Sequence, residues 1–255
     1  MLRTRVMPCL LLQGRGLVKT INFRSPIYVG DPVNTFRIFN QKEVDEIILI
    51  DIGATSSGSA IQFDLIEQIA SECFMPICYG GGVRSIEDYV RLFTIGIEKI
   101  SVSSLFFENP DIVSEAVKMF GSQSVVLTLD VKRHWLTKNY RLYNYSGAKC
   151  VAKDIIATVK RAEALGVGEI IVYSMERDGT WKGFDTELIT QICESVEVPV
   201  VAVGGAGSLP DIKTVVEECG ASAVGIGSMA VFQGQDKGVL VRFPRMAELE
   251  KLLGN

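Results

Sequence analysis

The stretch from Pro76 to Ser85, "PICYGGGVRS", is written again in altered form from Pro199 to Ser208, "PVVAVGGAGS". With the prolines aligned, Gly81-Gly82 faces Gly204-Gly205 and Ser85 faces Ser208. Each copy opens on a short apolar run, turns on two glycines and ends on a serine. Paired glycines let a backbone turn tightly and approach a ligand closely. A serine just before "IEDY" or "LPDI" is a helix N-cap. The pattern predicts strand, tight turn, helix, once in each half of the chain.

Outward from these two points, short β-branched runs alternate with helix-length amphipathic segments. Strands are expected near 5–11, 46–51, 76–79, 99–103, 124–130, 169–174, 199–203 and 223–227. Helices are expected near 33–44, 61–73, 85–95, 109–120, 153–165, 185–196, 209–219 and 243–253. Continuously apolar strands such as "EIILI" and "VPVVAV" suit a parallel sheet covered on its outer face. Eight β-α units in 255 residues without a linker fit a closed (β/α)₈ barrel better than an open doubly wound sheet. The halves echo further: "DEIILID" from Asp45 with "GEIIVYS" from Gly168, and "GIEKISVSS" from Gly96 with "GASAVGIGS" from Gly220. The expected architecture is one domain over 1–255, a TIM barrel of two duplicated half-barrels, about 1–120 and 121–255.

Composition narrows the function. A formal charge of −4 offers no basic field for nucleic acid. No apolar stretch is long enough for a membrane helix, and the N-terminal apolar run is too short for a signal segment. Six cysteines without a C-x-x-C pair read as reduced thiols of a cytoplasmic protein. With one histidine, His134, a His-based zinc cluster is ruled out, and neither a metal nor a cofactor is expected.

The chemistry is expected in the turns. After the third and seventh strands come the glycine pairs. After the fourth and eighth come "SVSS", with Ser103 and Ser104, and "GIGS", with Gly227 and Ser228. Backbone N–H groups at such turns attract phosphate, and barrels commonly place a phosphate site after strands seven and eight. Two cups on opposite sides of one mouth suit a substrate with a phosphate at each end. The alternative is that the glycines only close turns.

At this level of detail the chain resembles the cyclase subunit family of imidazole glycerol phosphate synthase. "RVMPCL", "GLVKTINF", "YGGGVRS", "FGSQSVV", "ERDGT" and "VGGAGS" follow that family in order. The resemblance implies a barrel that binds a bisphosphorylated ribonucleotide at its C-terminal face. It implies a glutaminase subunit docked at the N-terminal face, supplying ammonia through the interior for imidazole ring closure. Arg5, Glu46, Lys99 and Glu169 open strands one, two, four and six, and in the family these charges form the gate of the ammonia passage. From the residues alone, a salt-bridge cluster that plugs the floor reads equally well. Gly82, Gly205 and Ser228 match the family's phosphate cups, with Gly81, Gly204 and Gly227 beside them. Ser103 and Ser104 stand in place of Asn and Thr, and Val203 in place of a serine. Lys19, in the polar loop "QGRGLVKTINFRSPIYVG", matches a lysine of the family's mobile lid; a solvated loop lysine is the other reading.

The family's ring closure uses two aspartates facing each other at the ends of strands one and five. Asp130 is present in "VVLTLDVKR". Its partner position reads Pro8-Cys9-Leu10-Leu11, so the partner carboxylate is lost at Leu11. Leucine cannot move a proton, a role normally worth ~10²–10⁴ in rate. Asp51, Ser174 and Asp178 still line the expected mouth. Glu176 replaces an aspartate and Tyr173 a threonine. A kept gate with a lost acid resembles a paralogue branch of bacterial surface-polysaccharide pathways. Its members work beside a glutaminase-like subunit and a sugar amidotransferase that forms an acetamidino sugar. Three functions follow: an ammonia-accepting subunit serving amidosugar formation, a histidine-pathway cyclase, or a non-catalytic scaffold that activates a glutaminase.

Overall fold

The computed structural model describes residues 4–144, 148–233 and 238–254. Eight parallel strands follow one another: β1 (Arg5–Gln13), β2 (Ile47–Asp51), β3 (Ile77–Gly80), β4 (Lys99–Val102), β5 (Val125–Arg133), β6 (Glu169–Ser174), β7 (Val200–Val203) and β8 (Ala223–Ile226). Each pairs with the next in parallel, and β8 returns to β1, with Arg5 opposite Ala223 and Pro8 opposite Ile226. The sheet is closed, as the eightfold alternation predicts. The outer helices are α1 (Pro32–Gln41), α2 (Phe63–Ser71), α3 (Ile86–Thr94), α4 (Pro110–Phe120), α5 (Ile155–Ala164), α6 (Thr186–Cys193), α7 (Leu209–Glu217) and α8 (Met246–Leu253).

Strand alternation divides the apolar residues into two clusters. On β1, Val6, Leu10 and Leu12 face the helices and join the large outer core. Met7, Cys9 and Leu11 point inward and pack with Ile48, Val126 and Ile171. Leu11 therefore faces the barrel axis and not the helix layer.

The repeated turns fold alike. Asp88 Oδ2 accepts from the N–H groups of Arg84 (2.8 Å) and Ser85 (3.1 Å). Asp211 Oδ2 does the same for Gly207 (3.0 Å) and Ser208 (2.8 Å). Gly81 has φ +116°, and a Cβ there would lie 2.3 Å from the Asp51 carbonyl oxygen. Gly205 has φ +106°, and its Cβ would lie 2.1 Å from the Gly183 carbonyl oxygen. Only glycine fits either position.

Two expectations need correction. The stretch expected as a polar loop after β1 is a β-hairpin, Gly16–Ile21 with Arg24–Gly30, which continues the β1 ladder through Leu11 opposite Val18. The strand signal is there in "GLVKTI", but with Lys and Thr at two of its four buried positions it does not alternate. A second arm, Tyr140–Asn144 with Lys149–Ala152, extends β5 in the same way, with Asp130 opposite Tyr143. Short helices also intervene at Ile52–Ser57 and Ser104–Glu108. The last helix begins at Met246 rather than 243, because Pro244 disfavours helical backbone in the residue before it.

Candidate functional site

At the N-terminal ends of the strands, four charges close the barrel floor. Arg5 Nη1 meets Glu46 Oε2 at 2.5 Å, and Arg5 Nη2 pairs with Glu169 Oε1. Lys99 Nζ bridges the same carboxylates, at 2.9 Å from Glu46 and 3.0 Å from Glu169. Burial works against both cations, but the two carboxylates outweigh it and hold Arg5 and Lys99 above their ordinary pKa values. Glu46 and Glu169 are buried, and Glu46 Oε1 has no hydrogen-bond partner among the described residues. Each carboxylate is thus held by two cations, which offsets the cost of burying it.

At the opposite end a cavity of about 120 Å³ opens. Gly81, Gly82, Ser103 and Ser104 form one wall, Asp51 and Asp130 supply carboxyls, and Leu11, Phe23 and Tyr173 are apolar walls. Leu11 and Asp130 share this chamber, as their strand positions predict. Asp51 caps the short helix after β2, with Oδ1 accepting from Gly53 (2.9 Å) and Ala54 (3.0 Å). Burial raises its pKa, and those two N–H groups limit the rise. Ser103 Oγ donates to Asn144 Oδ1 at 3.3 Å, tying this wall to the β5 arm.

Gly204, Gly205, Gly227 and Ser228 line a second, far smaller space of about 10 Å³. Tyr173 borders both. Its hydroxyl donates to Asp178 Oδ1 at 2.9 Å, and its ring meets Phe23 edge-on at 4.8 Å. Asp178 Oδ2 accepts from Thr20 Oγ1 (2.6 Å) and from Phe23 N–H (3.1 Å). The Asp178 carbonyl accepts from Asn22 N–H at 3.0 Å, and Asn22 Nδ2 donates to the Glu176 carbonyl at 2.8 Å. Asn22 and Phe23 form the hairpin tip with φ of +52° and +60°. Positive φ at both central residues suits a two-residue hairpin, but a phenylalanine there is strained and needs its neighbours to hold it. Asp178 and Tyr173 hold it.

Lys19 is not a solvated loop residue. It lies in the hairpin strand, is 3% exposed, and donates from Nζ to the Cys9 carbonyl. Burial lowers its pKa, with partial compensation from Cys9 and Asp178. A Cβ on Gly227 would lie 3.1 Å from Nζ, so the lysine reaches the edge of the second cup. Ser174 is buried, lines neither space, and serves through its carbonyl, which accepts from Arg177 and Asp178 N–H. Sequence reasoning missed Thr20, Phe23 and Asn144; nothing in their residue types marks them, because their roles come from contacts across the mouth.

Among the described residues the Asp130 carboxyl makes no hydrogen bond, and burial, then the Asp178 charge, raises its pKa from 3.8 to about 7. The folded value exceeds the unfolded one, so its contribution to stability is full below about pH 4 and disappears as pH rises through 7. A carboxyl-resolved NMR titration should place the Asp130 midpoint near 7. The wild-type urea midpoint should fall between pH 4 and 7, and Asp130→Asn should lose that fall; an NMR titration midpoint near 4 contradicts this.

These features define a closed (β/α)₈ barrel with an ionic floor and a candidate site at its C-terminal mouth. The chain belongs to the family described as "Histidine biosynthesis protein", whose profile matches residues 5–236. A protein of Leptospira borgpetersenii, provisionally named imidazole glycerol phosphate synthase subunit HisF, is 44% identical over 252 residues, covering 99% of both chains. A Pseudomonas aeruginosa protein, provisionally named hisF2 of the same synthase, is 42% identical over 98% of this chain and 99% of its own. The imidazole glycerol phosphate synthase subunit HisF of Lactococcus lactis subsp. lactis is 37% identical over 90% of this chain and 88% of its own. Among the described residues no helix is long and apolar enough to cross a membrane.

Proposed function

We propose that this chain is the ammonia-accepting, cyclase-type subunit of a glutamine amidotransferase complex. Its mouth has lost one of two acids, and its ammonia serves amidino-sugar formation for surface polysaccharide. The observation that carries the reading is the pairing of an intact four-charge floor with Leu11 opposite Asp130. A barrel kept only for ring closure has every reason to keep the acid; one that delivers ammonia to another acceptor needs the floor alone. The unpaired Glu46 Oε1 leaves the ring an acceptor that ammonia can meet. In this reading a glutaminase docks at the N-terminal face, and Arg5 or Lys99 must swing aside for ammonia to enter.

The roles of the mouth residues follow. Gly81, Gly82, Ser103 and Ser104 form the open phosphate cup, and Gly204, Gly205, Gly227 and Ser228 form its far smaller duplicate, bordered by Tyr173. Asp130 is the remaining acid–base group, and Lys19 and Asp178 set the hairpin. The histidine-pathway cyclase stands as second reading because a lone carboxyl near 7 can both give and take protons at neutral pH.

The test supplies ¹⁵N-amide glutamine and excess unlabelled ammonium to the chain with its glutaminase and sugar-modifying partner. Label retained in the amidino product, and diluted in Lys99→Met, is the expected result. Equal dilution in both proteins removes the passage from the account.

A further inference from the structure

The two cups of the mouth are unequal in volume and in the groups that line them. The space at Gly204, Gly205, Gly227 and Ser228 measures about 10 Å³, roughly the volume one water needs. It is closed by Tyr173, whose ring separates it from the larger chamber and whose hydroxyl is fixed on Asp178. Lys19 Nζ stands at the edge of this space beside Gly227 and is held there by the Cys9 carbonyl. Among the described residues no lysine or arginine lines the larger chamber, and its charged groups are the carboxyls of Asp51 and Asp130. One phosphate can be held there by the glycine turn and the serine hydroxyls. A second, a few ångströms on, would meet two carboxyls and an apolar wall. Beside the serine wall, Asn144 is 1% exposed; its Oδ1 accepts from Ser103, and its Nδ2 has no partner among the described residues.

We infer that the mouth selects a compact ligand with a single phosphate, seated at Gly81, Gly82, Ser103 and Ser104, and that Tyr173 is the residue that excludes a bisphosphate. The inference rests on the reading of the glycine-serine wall as a phosphate cup. Tyr173 acts by bulk: it fills the space between the cups and braces the hairpin tip through Phe23. The hairpin cannot move aside to admit a longer ligand without giving up the bonds to Asp178 and the ring contact together.

The test measures binding of ribose 5-phosphate and ribulose 1,5-bisphosphate to the full chain by ³¹P NMR titration, with a crystal soaked in the tighter ligand. The wild type should bind the monophosphate at least as tightly as the bisphosphate, with phosphorus at Gly81-Gly82. Tyr173→Thr, which puts a β-branched residue suited to a strand in place of the ring, should shift preference towards the bisphosphate by tenfold or more. Tyr173→Phe keeps the bulk and should keep the wild-type preference. A wild type that prefers the bisphosphate tenfold, with phosphorus in both cups, overturns the selection while leaving the phosphate reading intact. Binding of neither ligand overturns both together. If Tyr173→Thr does not fold, the wild-type comparison and the Phe variant still decide the matter.

Discussion

The double variant Leu11→Asp/Tyr173→Thr is expected to form imidazole product from ammonium salt and the bisphosphorylated ribonucleotide. Its rate should exceed that of Tyr173→Thr alone by ~10²–10⁴, the usual contribution of a positioned acid–base group. Leu11 lines the same chamber as Asp130, so an aspartate there enters a site that already holds its partner. Two nearby carboxyls resist ionising together, which pushes one towards the acid and the other towards the base. Leu11→Asp alone should gain little, because Tyr173 keeps the second phosphate from its cup. The two substitutions should therefore be far from additive. A full gain from Leu11→Asp alone would show that Tyr173 does not limit the site. No gain from the double variant would show that more than one group has been lost.

Glu169→Leu is expected to produce the largest loss of stability. Glu169 is buried, pairs with both Arg5 and Lys99, and leaves two cations facing one remaining carboxylate if it is removed. Breaking a buried pair from one side costs about 3–5 kcal/mol. Arg5 and Lys99 side chains are 27% and 19% exposed, so water shares the load and the loss should be about 3 kcal/mol. Urea denaturation should show a lower midpoint with an unchanged slope. Adding Lys99→Met to Glu169→Leu should recover part of the loss, because the excess cation then goes too. A neutral Glu169→Leu would mean that the ring contributes no net stability.

Sequence made the barrel and its floor legible for definite reasons. Parallel strands leave continuous apolar runs, and tight turns demand glycine, as the positive φ at Gly81 and Gly205 bears out. Charges that open strands one, two, four and six fall at one end of a closed sheet and meet there. Legibility stopped at the arms. Lys19 and Thr20 look like loop residues because both are polar, yet both are buried positions of the hairpin's first strand. The turn at Asn22-Phe23 carries no glycine; Asn22 alone hints at its positive φ, and Phe23 gives no sign of it. The strap from Tyr173 through Asp178 to Phe23 joins segments about 150 residues apart, and only folding reveals it. Asp130 was recognisable as an acid, but its elevated carboxyl depends on walls supplied by other strands.

The most direct measurement uses the wild-type chain without any glutaminase. It is given the bisphosphorylated ribonucleotide and ammonium salt, and imidazole product is followed. An acid-deficient mouth, closed to a second phosphate, predicts no product above the buffer background. Brisk turnover would contradict it and return the chain to ring closure with Leu11 in place.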